Sequence, residues 1–139
     1  MSEKKIIRVR DVMTDNYHLV DRMLMINAAL DIMKKYGRRV LIVDKRDDTD
    51  EYGIVLLTDI AHKVLAVDRV PERVNVYEVM TKPVVGVDLD MDTRYCARLF
   101  CEFGFSYAPV IDGGELKGIV GFAELLLNDL YRKKSSPAG

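Results

Sequence analysis

The chain has 139 residues, nearly half of them apolar, with 21 Lys and Arg set against 22 Asp and Glu. That length and apolar content suit one compact domain with a packed interior. A formal net charge of −1 leaves no electrostatic footprint for DNA, RNA or an anionic membrane. No run approaches the roughly 18 apolar residues of a membrane span, and Met1-Ser2-Glu3-Lys4-Lys5 lacks the apolar stretch of a signal peptide. The expected location is cytoplasmic, with neither membrane nor nucleic acid as partner.

In chain order, Val12-Met13 begins a short helical turn and Tyr17-His18-Leu19-Val20 reads as a strand. Asn27 is placed to cap a helix running to about Lys35, with Ala29, Ile32 and Met33 on its inner side. Arg39 to Val43 is a β-branched run, hence a strand. Lys45 to Tyr52 is acidic and turn-like, and Gly53 to Leu57 is a second strand of the same character. A helix from Thr58 or Asp59 directs Ile60, Val64 and Leu65 inward, and Pro71-Glu72-Arg73 is the linker. Val84 to Val87 is extended, and Asp92 can cap a helix from Thr93 to Phe103. Tyr107 to Ile111 is a strand, Gly113-Gly114 a tight turn, and Leu116 to Val120 pairs back. The last helix runs from about Phe122 to Lys133, with cations in its final turn, and Ser135 to Gly139 is frayed.

The chain says the same thing twice. Asp11-Val12-Met13-Thr14 returns as Glu78-Val79-Met80-Thr81, 67 residues later, and Gly53-Ile54-Val55 returns as Gly118-Ile119-Val120, 65 residues later. Val40-Leu41-Ile42-Val43-Asp44 has its counterpart in Pro109-Val110-Ile111-Asp112. A repeat of this period means copies of one supersecondary unit that bury their apolar faces together. A pseudo-twofold pairing of two short sheets, with helices outside, satisfies both copies.

These motifs resemble the cystathionine-β-synthase (CBS) domain, present here as a tandem pair, or Bateman module. The resemblance covers about residues 7 to 130. It implies an α+β fold of two pseudo-twofold-related CBS repeats, each a short, mostly three-stranded sheet with two helices packed on it. Repeat 1 is expected over about 7–68, a linker over 69–75, repeat 2 over 76–132 and a frayed tail over 133–139, all one module of 1–139. It further implies clefts between the repeats that take adenosine-containing ligands, and a homodimer of modules.

The ligand signature implied by the family is Gly, apolar, any, Ser/Thr, any, any, Asp. An Asp near the start of the last helix can accept both ribose hydroxyls. The hydroxyl and backbone N–H groups can meet phosphate, and adenine lies in an apolar slot. The first copy, Gly53-Ile54-Val55-Leu56-Leu57-Thr58-Asp59, keeps Gly and Asp but has Leu56 at the hydroxyl position, with Thr58 two residues later. The second, Gly118-Ile119-Val120-Gly121-Phe122-Ala123-Glu124, has Gly121 for the hydroxyl and Glu124 for the Asp.

The expected ligand-binding set is therefore Asp59, Thr58, Arg39, Val40 and His18 in the first repeat, with Tyr107, Ala108, Pro109, Gly121 and Glu124 in the second. Plainer readings stand beside these. Asp59 and Glu124 also read as helix-start acids, Thr58 as an N-cap, Arg38 and Arg39 as surface arginines or phosphate contacts, and Pro109 as an edge-strand proline or part of a base slot. His18 can stack on a base, but nothing near it has metal-ligand spacing. Cys96 and Cys101, five apart on one helix, read as buried structural thiols, and Asp47, Asp48, Asp50 and Glu51 as a solvated hairpin loop lacking the calcium-loop spacing.

No G-x-S-x-G, GxxxxGK[ST] or HExxH motif occurs, so the chain is not expected to be an enzyme, and no catalytic or metal residues are assigned. Two readings of function follow. One is a regulatory module that senses AMP, ADP, ATP or S-adenosylmethionine and signals to an unidentified regulated protein, with no cofactor required. The alternative is a dimerisation or interaction module with degenerate, non-binding clefts.

Overall fold

The structure, a computed structural model, describes residues 6–82 and 86–127. In chain order its elements are α1 (Val9–Val12), β1 (Leu19–Val20), α2 (Ile26–Tyr36), β2 (Val40–Val43), β3 (Gly53–Leu56), α3 (Leu57–Ile60), α4 (Thr93–Phe103), β4 (Tyr107–Asp112) and β5 (Glu115–Gly121). Residues 122–127 are helical. The fold is α+β. It divides into a first unit, Tyr17–Val84, and a second unit, Met1–Asn16 with Val85–Gly139.

In the first unit the sheet order is β1-β2-β3, with β1 parallel to β2 and β2 antiparallel to β3. All four residues of β2 are buried, which is why its sequence is continuously apolar rather than alternating. Helix α2 lays Ile26, Ala29 and Met33 into the core. It ends at Gly37, whose left-handed φ of 64° lets its N–H close on the Met33 carbonyl. Asn27 is not the cap. The helix begins two residues earlier, behind Met25, and the Ile26 N–H is satisfied by the Val74 carbonyl at 2.8 Å. Backbone pairing has replaced a side-chain cap.

That pairing also explains the stretch expected as a linker. Pro71–Arg73 is a single 3₁₀ turn, and Val74, Val76 and Val79 are fully buried against Ile26, Leu41 and Val55. Leu65 departs from expectation as well. Ile60 and Val64 point inward, but Leu65 is 76% exposed. After α3 the chain widens into a π-helix over Ala61–Leu65, and the Ala66 N–H bonds the Ala61 carbonyl at 2.9 Å. The wider turn carries Leu65 past the core-facing stripe.

In the second unit β4 and β5 are antiparallel, with Val87 adding a parallel bridge to Val110 on the other side. Asp92 caps α4 by accepting the Arg94 N–H at 2.9 Å, and Gly104 ends it at φ 70°. Phe100 and Phe122 stack at 5.2 Å in a core with Val9, Val12, Cys96, Val110 and Leu125. Cys96 is buried, but Cys101 is exposed, since α4 turns it to the opposite face. The helical turn expected at Val12-Met13 instead ends there. Met13 is extended, because the Thr14 N–H and carbonyl pair with Ile119. The Val84 end of the Val84–Val87 strand, the last helix beyond residue 127 and the 133–139 tail fall outside the described residues.

The repeated motifs meet crosswise. Thr14, from the first copy of the Met-Thr motif, pairs with Ile119 from the second Gly-Ile-Val, while Thr81 pairs with Ile54. The glycines make the approach feasible. A Cβ on Gly118 would lie 2.6 Å from the Thr14 carbonyl oxygen, and one on Gly53 would lie 2.6 Å from Met80 Sδ. Each compact unit is thus completed by the leading segment of the other sequence repeat.

Candidate functional site

In the first unit the register that pairs Val40 with Leu56 brings the start of β2 to the end of β3. The Leu57 N–H extends this pairing to the Arg39 carbonyl at 2.9 Å. Arg39, Val40, Thr58 and Asp59 are thereby gathered at one end of the sheet. His18 joins from the neighbouring strand, where its carbonyl accepts the Ile42 N–H at 3.0 Å. Thr58 and Arg39 are exposed, Asp59 and His18 half-buried, and Val40 buried.

Asp59 Oδ2 accepts the Leu56 N–H at 3.2 Å, a bond that ties the helix start back to the end of the strand. Thr58 does not serve as the N-cap, a position held by Leu56. The His18 ring lies 4.3 Å from that of Tyr36, tilted by 38°. Among the described residues two buried side-chain polar atoms lack a hydrogen-bond partner, His18 Nδ1 and Arg38 Nε. A buried guanidinium N–H without an acceptor is costly, by about 1–3 kcal/mol or more, and such an atom requires a reason.

The acidic loop between β2 and β3 is not uniformly solvated. The Asp50 side chain is only 7% exposed and is ion-paired to Lys82 and Arg46. The Lys82 ammonium, together with the Arg46 backbone N–H, holds its carboxyl well below the ordinary range. Asp47 accepts bonds from the Thr49 N–H and hydroxyl, at 2.9 and 2.6 Å. These contacts hold the loop both from within and from Lys82 outside it. Among the described residues no group of His, Cys, Asp and Glu could hold a metal ion, and no helix is long and apolar enough to cross a membrane.

In the second unit the matching strand end pairs Tyr107 with Gly121 and Ala108 with Val120. The Phe122 N–H bonds the Ser106 carbonyl at 2.9 Å, the counterpart of Leu57 and Arg39. Ala108, Pro109 and Gly121 are buried, Tyr107 is half-buried and Glu124 is exposed. Pro109 pairs with Ile119 within the ladder, and its carbonyl is committed to the Val87 N–H at 3.0 Å.

A doubled unit of strands and helices, with a Met-Thr segment docked beside each Gly-Ile-Val strand, matches one family. The CBS-domain model fits residues 9–66 and again 76–130. The chain belongs to the CBS-domain family. A hexameric CBS-CP12 protein from bloom-forming cyanobacteria superposes with a TM-score of 0.88 at 34% identity, covering 97% of this chain and 75% of that one. A Burkholderia ambifaria protein, described as a signal-transduction protein with CBS domains, gives 0.77 at 27% identity, covering 92% and 91%. An uncharacterized protein of Methanopyrus kandleri is 30% identical over 101 residues, 71% of this chain. The chain spans about half the length of that relative.

Reading motif by motif passed over Tyr36, which backs His18, and Lys63, whose ammonium reaches the Val79 carbonyl at 3.0 Å. Tyr36 carried a signal, as the last helical residue before Gly37. Lys63 carried none, because a π turn sets its direction.

Proposed function

We propose that this CBS pair is a regulatory module that binds a phosphorylated adenosyl ligand at the strand end of its first unit. The observation that carries the reading is the pair of unpartnered buried atoms, Arg38 Nε and His18 Nδ1. An anionic oxygen would supply the acceptor that the guanidinium lacks, through a charge-assisted hydrogen bond. Asp59 Oδ2 already accepts the Leu56 N–H, and its other oxygen would take the ribose hydroxyls. Tyr36 and His18 offer ring faces for the base. The module would be non-enzymatic and self-associating, and would report occupancy to a partner protein by a coupling free energy.

A second reading, an interaction module without a ligand, draws on Leu56 at the family's hydroxyl position. Thermal melts with AMP, ADP, ATP, NAD and S-adenosylmethionine separate the two. A ligand at 100 times its Kd raises stability by about 2.7 kcal/mol, several degrees for a chain this size. Asp59→Ala should remove that shift and Arg38→Ala should weaken it. A flat panel at millimolar concentrations would favour the interaction module.

A further inference from the structure

The two units carry the same backbone arrangement at this strand end but different chemistry. Where the first unit has Arg38, Arg39 and Val40, the second has Phe105, Ser106 and Tyr107. Phe105 is not turned toward a ligand. Half-buried, it packs edge-on against the core residue Phe100 at 6.1 Å and lies parallel to the exposed Phe103 at 5.4 Å. At the family's hydroxyl position stands Gly121, and the space a side chain would use there is already taken. A Cβ on Gly121 would overlap Glu124 Oε2 and lie 2.9 Å from both Glu124 Cδ and Tyr107 Cε1.

We infer that Tyr107 and Glu124 close the second unit's strand end to anionic ligands, so that each chain takes one phosphorylated ligand, in the first unit only. The inference rests on the function proposed above and deepens it. Two effects act together. Tyr107 and Glu124 fill the volume over the Gly121 backbone, where a ligand would have to approach. The carboxylate also repels phosphate wherever its flexible stem swings, because no cation stands at the Phe105 or Ser106 positions to offset it. In the first unit the guanidinium of Arg38 and the exposed Arg39 have the opposite sign. The second unit therefore contributes fold and surface, and the first contributes recognition.

The test combines calorimetry with a pair of melts. AMP titrated into the full chain should give a single isotherm at one per chain, and Asp59→Ala should abolish it. Two AMP per chain, or residual one-to-one binding in Asp59→Ala, would overturn the inference while leaving ligand sensing intact. Absence of binding to the wild type by AMP, ADP, ATP, NAD and S-adenosylmethionine alike would sink the proposed function instead, and the closure is then judged by the melts alone. Gly121→Ala should lower the Tm, because the half-buried Tyr107 ring would stand 2.9 Å from the new Cβ while the exposed Glu124 carboxylate can swing aside, and the loss should shrink in the Tyr107→Ala background. Equal losses in both backgrounds would show that Tyr107 does not occupy that space.

Discussion

Gly53 and Gly118 hold the same place in the repeat, yet alanine should cost very different amounts at the two. At Gly118 the new Cβ would sit 2.6 Å from a backbone atom, the Thr14 carbonyl oxygen, and 3.1 Å from Met13 Sδ. That carbonyl accepts the Ile119 N–H at 2.9 Å, and the Thr14 N–H donates back at 2.9 Å. Relief requires moving the segment that carries both bonds. Overpacking of this kind costs about 1–3 kcal/mol, and straining two hydrogen bonds adds up to about 1 kcal/mol each. Alanine recovers about 0.5–1 kcal/mol of chain entropy in a strand. The net expectation is a loss of about 2–3 kcal/mol.

At Gly53 the obstructing atom is Met80 Sδ at 2.6 Å, with Met80 Cγ and Val43 Cβ both at 3.4 Å. A thioether on three rotatable bonds can move aside, and the Thr81–Ile54 pair need not shift. Gly53→Ala should then lie within about 1 kcal/mol of neutral. Urea unfolding of both variants, followed by circular dichroism, compares their midpoints directly. Equal losses, or a larger loss at Gly53, would refute the distinction between a backbone obstacle and a side-chain one.

Three further outcomes can be checked. Asp92→Ala should cost about 1 kcal/mol as a lost N-cap. The Arg94 guanidinium and N–H hold the Asp92 carboxyl at about 2, below the usual 3.8, so its stabilisation is complete above about pH 5 and is lost as pH falls from there toward 2; acid unfolding of Asp92→Asn should lack that part of the slope. Asp50, depressed by Lys82 and the Arg46 N–H, has the same sign, so Lys82→Met should move the acid-unfolding midpoint to higher pH, and an unmoved midpoint would remove Asp50 from the argument. Burial pushes the Cys96 thiol up to about 11, while Cys101 is exposed. A disulfide reagent at pH 8 should therefore titrate one thiol quickly and the second only on unfolding, and two fast thiols would contradict the packing of α4.

What could be read from the residues alone was the part that local chemistry decides. Val40–Val43 is a strand because four consecutive apolar residues want cover on both faces, and Asp92 and Gly104 bracket α4 with a cap at each end. Arg39, Val40, Thr58 and Asp59 meet because adjacent strands in register bring their ends together. The rest depended on distant partners. Asn27 lost the cap to a carbonyl 47 residues away, at Val74. Asp50 looked solvated because Lys82, its partner, lies beyond β3 and α3. Ala108 and Gly121 belong to the expected ligand-binding set, and their small size in the sequence does not disclose that Glu124 lies against Gly121.

The crosswise meeting of the motifs also bears on how occupancy at the first unit would reach the rest of the chain. The segment Val79–Lys82 is held at three points: Lys63 Nζ on the Val79 carbonyl, Thr81 paired with Ile54, and Lys82 on Asp50. Those anchors lie in the π turn, in β3 and in the β2–β3 loop. Thr58 and Asp59 stand between the first two. A ligand held by the other Asp59 oxygen would load the joint between β3 and α3 that the Leu56 N–H bond makes, and the anchors on either side of that joint bear on Val79–Lys82. This is also where the chain leaves the first unit for the second. Under the proposed function, the next repeat's leading segment, which closes the core of the first unit, would be the physical connection between binding and the remainder of the chain.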